Sequence, residues 1–157
     1  MFSALANGIS EIYNCLMSED VHRTINAFRS MGTEIEITNE KIIVNGNGID
    51  GLLKPEKDLY MGNSGTTTRL ITGILAAQKF SSKLTGDPSL SSRDMKRVID
   101  PLTKMGAQIK SNNGFLPLEI SPVENLKPIE YELPIASAQI KSCVLLAGLF
   151  NDKESIV

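Results

Sequence analysis

The segment Gly62-Asn63-Ser64-Gly65-Thr66-Thr67-Thr68-Arg69 carries the residue types best suited to holding an anion. Two glycines bracket small polar residues directly before an apolar stretch that reads as a helix. A turn of this kind aims backbone N–H groups outward at a helix N-terminus, where the positive end of the dipole attracts negative charge. Threonine hydroxyls add donors and Arg69 adds a full charge. The Lys-Ser/Thr pair of a Walker A loop is missing, so a nucleotide P-loop is excluded. The plainer reading is a polar N-cap on a buried helix.

Two further segments have the same character. In Leu84-Thr85-Gly86-Asp87-Pro88-Ser89-Leu90-Ser91-Ser92-Arg93 a strand ends, a Gly-Asp-Pro turn follows, and Arg93 arrives near the next helix start. An arginine there can grip carboxylate or phosphate bidentately. Its charge opposes the helix dipole at that end, which points to an anion that offsets it. In Ala136-Ser137-Ala138-Gln139-Ile140-Lys141-Ser142, Ser137 and Gln139 could hydrogen-bond a polyhydroxylated or phosphorylated ligand. Lys141 reads either as an anion ligand or as a surface lysine. Asp87 and Asp94 read as turn and cap residues, and no carboxylate pair has general acid/base spacing.

The elements that must position these segments come from an internal repeat. Ser18-Glu-Asp-Val-His-Arg, ending in Met31-Gly32, matches Ser92-Arg-Asp-Met-Lys-Arg, ending in Met105-Gly106, at a spacing of 74 residues. Each copy is expected to open a helix with a serine cap and an acidic residue behind it. Val21, Ile25 and Phe28 form one apolar stripe; Met95, Val98, Leu102 and Met105 form the other. Gly32 and Gly106 supply left-handed C-caps. Strands follow at Thr33–Thr38 and Ala107–Lys110, then at Ile42–Val44 and Leu116–Ile120. Thr66–Ala77 and Ala138–Leu149 form a second recurring pair, both apolar helices, leading to strands at Lys83–Thr85 and Ser155–Val157. Pro101 falls inside the second amphipathic helix and is expected to kink it. This predicts one incomplete globular α+β domain over 1–157, with two 74-residue repeats (roughly 10–83 and 84–157) and the tail of a preceding helix at 1–9.

Composition sets the outer bounds. The chain has 157 residues, 41% hydrophobic and 22% charged, an ordinary globular balance rather than a disordered one. A net charge of −2 argues against general nucleic-acid or membrane-surface binding. No apolar run approaches the ~18 residues of a spanning helix, and the N-terminus has no signal-peptide pattern, so a cytoplasmic location is expected. Cys15 and Cys143 fit no metal or redox spacing and read as reduced core residues. His22 is the sole histidine and reads as an exposed helical residue, so a triad or multi-His metal site is excluded.

Taken together and in order, GNSGTTTRL, LTGDPSLSSRDMKRVIDPLTKMGA and ASAQIKSCVLLAGL resemble the enolpyruvyl transferase family, most closely its shikimate-pathway branch, the 5-enolpyruvylshikimate-3-phosphate synthases. The Ser-Ala-Gln and Pro-Leu-x-x-Met-Gly variants resemble the bacterial group often called class II. The resemblance implies repeated βαβαββ units of an inside-out α/β barrel. It implies transfer of the enolpyruvyl group of phosphoenolpyruvate to the 5-hydroxyl of shikimate-3-phosphate, without metal or cofactor. Carried over by motif, Asn63, Gly65 and Thr66 would line the phosphoenolpyruvate pocket and Arg93 would grip its phosphate. Gln139 would sit between the substrates, Ser137 and Ala138 would contact shikimate-3-phosphate (Ala138 through its backbone), and Arg69 would support the loop. No residue of this chain is assigned a catalytic role. The family's GDKSISHR-like and SRDHTE-like segments and its second domain, the expected partner, are not in the sequence, and Asp94 stands where the family usually has proline. The chain is therefore expected to be a fragment without turnover alone. A non-catalytic truncated module and a UDP-N-acetylglucosamine enolpyruvyl transferase relative are the competing readings.

Overall fold

The computed structural model describes residues 1–157 and shows two mixed layers of sheet and helix around one apolar core. A short helix α1 (Phe2–Leu5) leads into β1 (Asn7–Tyr13). Gly8 takes φ +93°, a left-handed conformation in which helix cannot continue, so residues 7–9 lie in a strand rather than in a helical tail. Helix α2 (Glu19–Ser30) follows, with Ser18 Oγ accepting from Val21 N–H at 3.4 Å and Glu19 and Asp20 in its first turn. It stops before Gly32 at φ +86°. Its stripe buries Ile25 and Phe28. Strands β2 (Glu34–Ile37) and β3 (Lys41–Asn47) then complete a three-stranded antiparallel sheet of order β1-β3-β2.

The second sheet has order β4-β5-β7-β6. Strand β4 (Leu59–Tyr60) pairs parallel with β5 (Ser82–Thr85), Leu59 facing Leu84. Helix α3 (Gly65–Ala76) makes the crossover that a parallel pair requires. The antiparallel strands β6 (Gln108–Asn112) and β7 (Phe115–Ser121) complete the sheet. β3 and β7 begin at Lys41 and Phe115, the spacing of the sequence repeat. A lone parallel bridge from Glu130 to Ile156, beside helix α6 (Ala138–Gly148), echoes the β4–β5 pairing.

The second amphipathic helix begins later than its serine suggests. Asp87 Oδ1 accepts from Leu90 N–H at 2.7 Å and Pro88 sits at the start, making a separate turn, α4 (Pro88–Ser91). Ser92 is the C-cap of that turn, its hydroxyl donating to Ser89 O at 2.8 Å. Helix α5 (Lys96–Lys104) starts four residues on and runs through Pro101, which is buried. That proline is an interior residue of the helix, and the bond its N–H would have made to Arg97 O is missing. Gly106, at φ +97°, ends the element. Met95, Val98, Leu102 and Met105 are fully buried in the same core as Leu84, Leu90 and Leu118.

Helices α3 and α6 pack side by side with unusually close backbones. A Cβ on Gly73 would lie 2.2 Å from Cys143 O, so only glycine admits this approach. Ile71, Ile74, Leu75, Cys143, Val144 and Ala147 on the two helices are all fully buried in the core. Each of the isoleucine, leucine and valine side chains contributes about 1.5–3 kcal/mol through burial. No helix is long and apolar enough to cross a membrane.

Candidate functional site

Because β4 and β5 run parallel, the loops at their C-terminal ends emerge at one edge of the sheet, the usual place for a site in such an arrangement. The two loops are bonded to each other: Asp87 N–H donates to Gly62 O at 2.9 Å, and Met61 N–H to Thr85 O at 2.8 Å. Gly62 has φ +57°, and a Cβ there would lie 2.5 Å from Arg23 Nε. The positive φ favours glycine, and a side chain there would displace the Arg23 guanidinium.

Ser64 caps α3, its Oγ accepting from Thr67 N–H at 3.1 Å. The three threonines that follow point three ways. Thr67 is buried, donates to Asp20 O at 3.1 Å and lies 2.9 Å from Thr24 Oγ1, which lashes the start of α3 to the start of α2. Thr68 is buried and bonds back to Ser64 O at 2.6 Å. Thr66 alone is exposed.

Around Thr66 the expected residues come together. Gln139 Nε2 donates to Thr66 Oγ1 at 2.9 Å, and Gln139 Oε1 accepts from Arg69 Nη1 at 2.7 Å. Arg69 Nη2 also donates to Asp94 O at 3.4 Å. Arg93 Nη2 donates to Asn63 Oδ1. A Cβ on Gly65 would lie 2.9 Å from Arg93 Nη1 and 3.5 Å from Arg69 Nη1, so both guanidinium tips lie over the first residue of α3. Ser137 caps α6, accepting from Ile140 N–H at 3.4 Å, and Ala138 is the exposed first residue of that helix. Asn63, Gly65, Thr66, Arg69, Arg93 and Gln139 thus form one bonded or touching array, with Ser137 and Ala138 adjoining Gln139 in the chain. The starts of α2, α3 and α6 gather at this one end.

The local field is strongly positive although the whole chain is acidic. Arg69 is half-buried, and burial is the largest cause of its depressed pKa; repulsion from Arg93 and Arg97 adds to it, while Asp94 opposes. Three guanidiniums beside helix N-termini favour a small multiply charged anion. Asp87 Oδ1 and Asp94 Oδ1 are taken up as caps on Leu90 N–H and Lys96 N–H, both at 2.7 Å. Lys141 is exposed on α6.

Two arginines belong to this region without having stood out in the sequence. Arg97 is one turn beyond Arg93, a spacing that was legible but reads equally as a solvated helix face. Arg23 packs 5.1 Å over the Tyr60 ring and against Gly62, and its buried Nε has no partner. Its sole sequence signal was the match to Arg97 across the repeat. A separate hollow of about 200 Å³ lies between α2 and the first sheet, but ten of its twelve lining residues are hydrophobic, among them Val21, Ile25, Phe28 and Ile42. It offers no convergent charge to an anion.

With this geometry in view, the chain was compared with known proteins. A family model described as EPSP synthase (3-phosphoshikimate 1-carboxyvinyltransferase) matches residues 1–157. A relative from Ruthia magnifica named 3-phosphoshikimate 1-carboxyvinyltransferase is 54% identical over 157 residues, all of this chain and 36% of that protein. One of the same name from Caldicellulosiruptor bescii is 50% identical over 159 residues, again 36% of its length. The solved EPSP synthase of Acinetobacter baumannii superposes with a TM-score of 0.92 at 49% identity, covering 95% of this chain and 34% of that one. The chain spans about a third of the length of the relatives it matches.

Proposed function

The chain belongs to the EPSP synthase (3-phosphoshikimate 1-carboxyvinyltransferase) family and has its α+β enolpyruvyl transferase fold; from that premise we propose that it supplies the phosphoenolpyruvate-binding wall of such an enzyme. The carrying observation is the array in which Arg93 is held by Asn63 over Gly65 while Gln139 is bonded to Thr66. In this reading Asn63, Gly65 and Thr66 line the phosphoenolpyruvate site and Arg93 takes its phosphate in a charge-assisted bond. Gln139 lies between the substrates. Ser137 and the Ala138 backbone meet shikimate-3-phosphate. Arg69 fixes Gln139 and does no chemistry itself.

The reaction proposed for the whole enzyme is addition of the shikimate-3-phosphate 5-hydroxyl to C2 of phosphoenolpyruvate as C3 takes a proton. Phosphate then leaves C2 of the tetrahedral ketal as C3 gives up a proton, which restores the C2=C3 double bond. Fixed positive charge around the phosphate and carboxylate is what this chain contributes to that sequence. We assign no general acid or base to these 157 residues, which span about a third of the relatives' length, so turnover by this chain alone is not expected. The unpaired Cys15 and Cys143 suit the reducing cytoplasm in which such metabolites are found.

Titration of the 157-residue chain with phosphoenolpyruvate, followed by backbone amide NMR, tests the reading. Saturable shifts are expected at 62–66, Arg93 and 137–139, at millimolar ligand, extended by shikimate-3-phosphate. Arg93→Ala should weaken phosphoenolpyruvate binding about tenfold, or roughly 1.4 kcal/mol. Shifts confined to other regions, or robust phosphate release by this chain alone, would overturn it.

A further inference from the structure

Asp94 is an anion placed at the rim of a cationic site, and its bonds show why it is held there. Helix α5 receives no side-chain cap from Met95. Asp94 supplies the bond instead, its Oδ1 accepting from Lys96 N–H at 2.7 Å. Its carbonyl accepts from Arg69 Nη2 at 3.4 Å, which ties the same residue to the guanidinium that orients Gln139. It directly follows Arg93 and precedes Arg97 by three positions. Its carboxylate makes no ion pair with any of the three arginines; the ion pairs of the chain are Arg23–Glu19, Lys41–Glu11 and Lys83–Asp58. It therefore acts on the site through space.

We propose that Asp94 is a specificity-determining residue that holds down the affinity of this site for phosphorylated anions. A carboxylate fixed at the start of α5 offsets part of the positive potential of Arg69, Arg93, Arg97 and the helix end. An arriving phosphate must share that field. The effect weakens binding and speeds release without touching the ligand, and it discriminates most against ligands of highest charge. This inference rests on the anion-site reading above and deepens it.

The test compares Asp94→Asn with the unaltered chain. Asparagine caps a helix about as well as aspartate, so the start of α5 is retained while the charge is lost. Asp50→Asn, an exposed position near the C-terminal end of α2, removes the same charge away from the site. Phosphoenolpyruvate and inorganic phosphate are titrated into all three proteins by amide NMR at low and high sodium chloride. Asp94→Asn is expected to bind phosphoenolpyruvate two- to fivefold tighter at low salt, with a smaller gain for inorganic phosphate. High salt should shrink the gain, because exposed charges are screened. Asp50→Asn should bind as the unaltered chain does. Equal or weaker binding by Asp94→Asn, or an equal gain in both variants, would overturn the proposal while leaving the anion site standing. Absence of saturable binding in all three would instead remove the site itself, and this role with it.

Discussion

Three consecutive threonines show what a single residue's surroundings decide. Thr66, Thr67 and Thr68 are indistinguishable in type, yet only Thr66 reaches the array; the other two are spent on helix packing and on a backbone bond. The sequence made the loop legible but not this division, because direction on a helix start depends on where α2 and α6 come to lie. Arg93 and Gln139 were legible for a different reason: each follows a polar turn, Arg93 in the link between α4 and α5 and Gln139 in the first turn of α6. The two cysteines also part company. Cys143 is buried in the α3–α6 seam, which pushes its thiol up to about 12, while Cys15 is half-buried beside the first sheet. Iodoacetamide at pH 8 is expected to label Cys15 and spare Cys143 in the folded chain, read by peptide mass spectrometry; equal labelling would contradict the burial. The raised pKa also sets a pH limit. The folded chain keeps the proton that the unfolded chain releases near pH 9, so stability is full below that pH and falls as pH rises toward 12. By pH 10 the loss should be about 1 kcal/mol. Cys143→Ala should abolish that slope in urea unfolding; a slope unchanged by it would point to other groups.

At the level of helices and strands, the repeat was the most readable feature, and the structure departs from it where local chemistry is stronger. Both glycine stops and the β2/β6 and β3/β7 pairs fall where the spacing puts them. The start of α5 does not, because Asp87-Pro88 nucleates a turn of its own and uses up Ser92. Pro101, expected to kink its helix, lies inside α5 and is buried in the core, where one backbone bond is forgone. The α3–α6 seam was invisible, since nothing in a lone helical glycine announces a neighbour's carbonyl. Gly73→Ala decides its worth. Alanine would gain about 1 kcal/mol of helix propensity. A Cβ 2.2 Å from the Cys143 carbonyl cannot be accommodated without parting the helices, however, and overpacking of this sort costs about 1–3 kcal/mol or more. A net destabilisation of about 2 kcal/mol is expected in urea unfolding, and a stabilised variant would show that the helices slide apart freely.

Across the whole molecule the apolar surface is unevenly covered. Phe2, Leu145 and Leu149 remain 69%, 45% and 45% exposed and border a hollow of about 390 Å³ with Met1, Leu70 and Leu146. In water such a surface drives association. Sedimentation velocity should show concentration-dependent self-association, and Leu145→Lys with Leu149→Lys should remove it with little loss of melting temperature. A chain that stays monomeric at every concentration would contradict this. The hydrophobic pattern of α6 hinted at none of it, because an all-round apolar helix reads as buried on every side. The gathering of the starts of α2, α3 and α6 at one end has a consequence for kinetics as well as for binding. The guanidiniums of Arg69, Arg93 and Arg97 beside the helix starts make that end a positive pole on a molecule of net charge −2. Metabolite anions drifting past would be turned toward that pole before touching any side chain, and capture would slow as ionic strength rises.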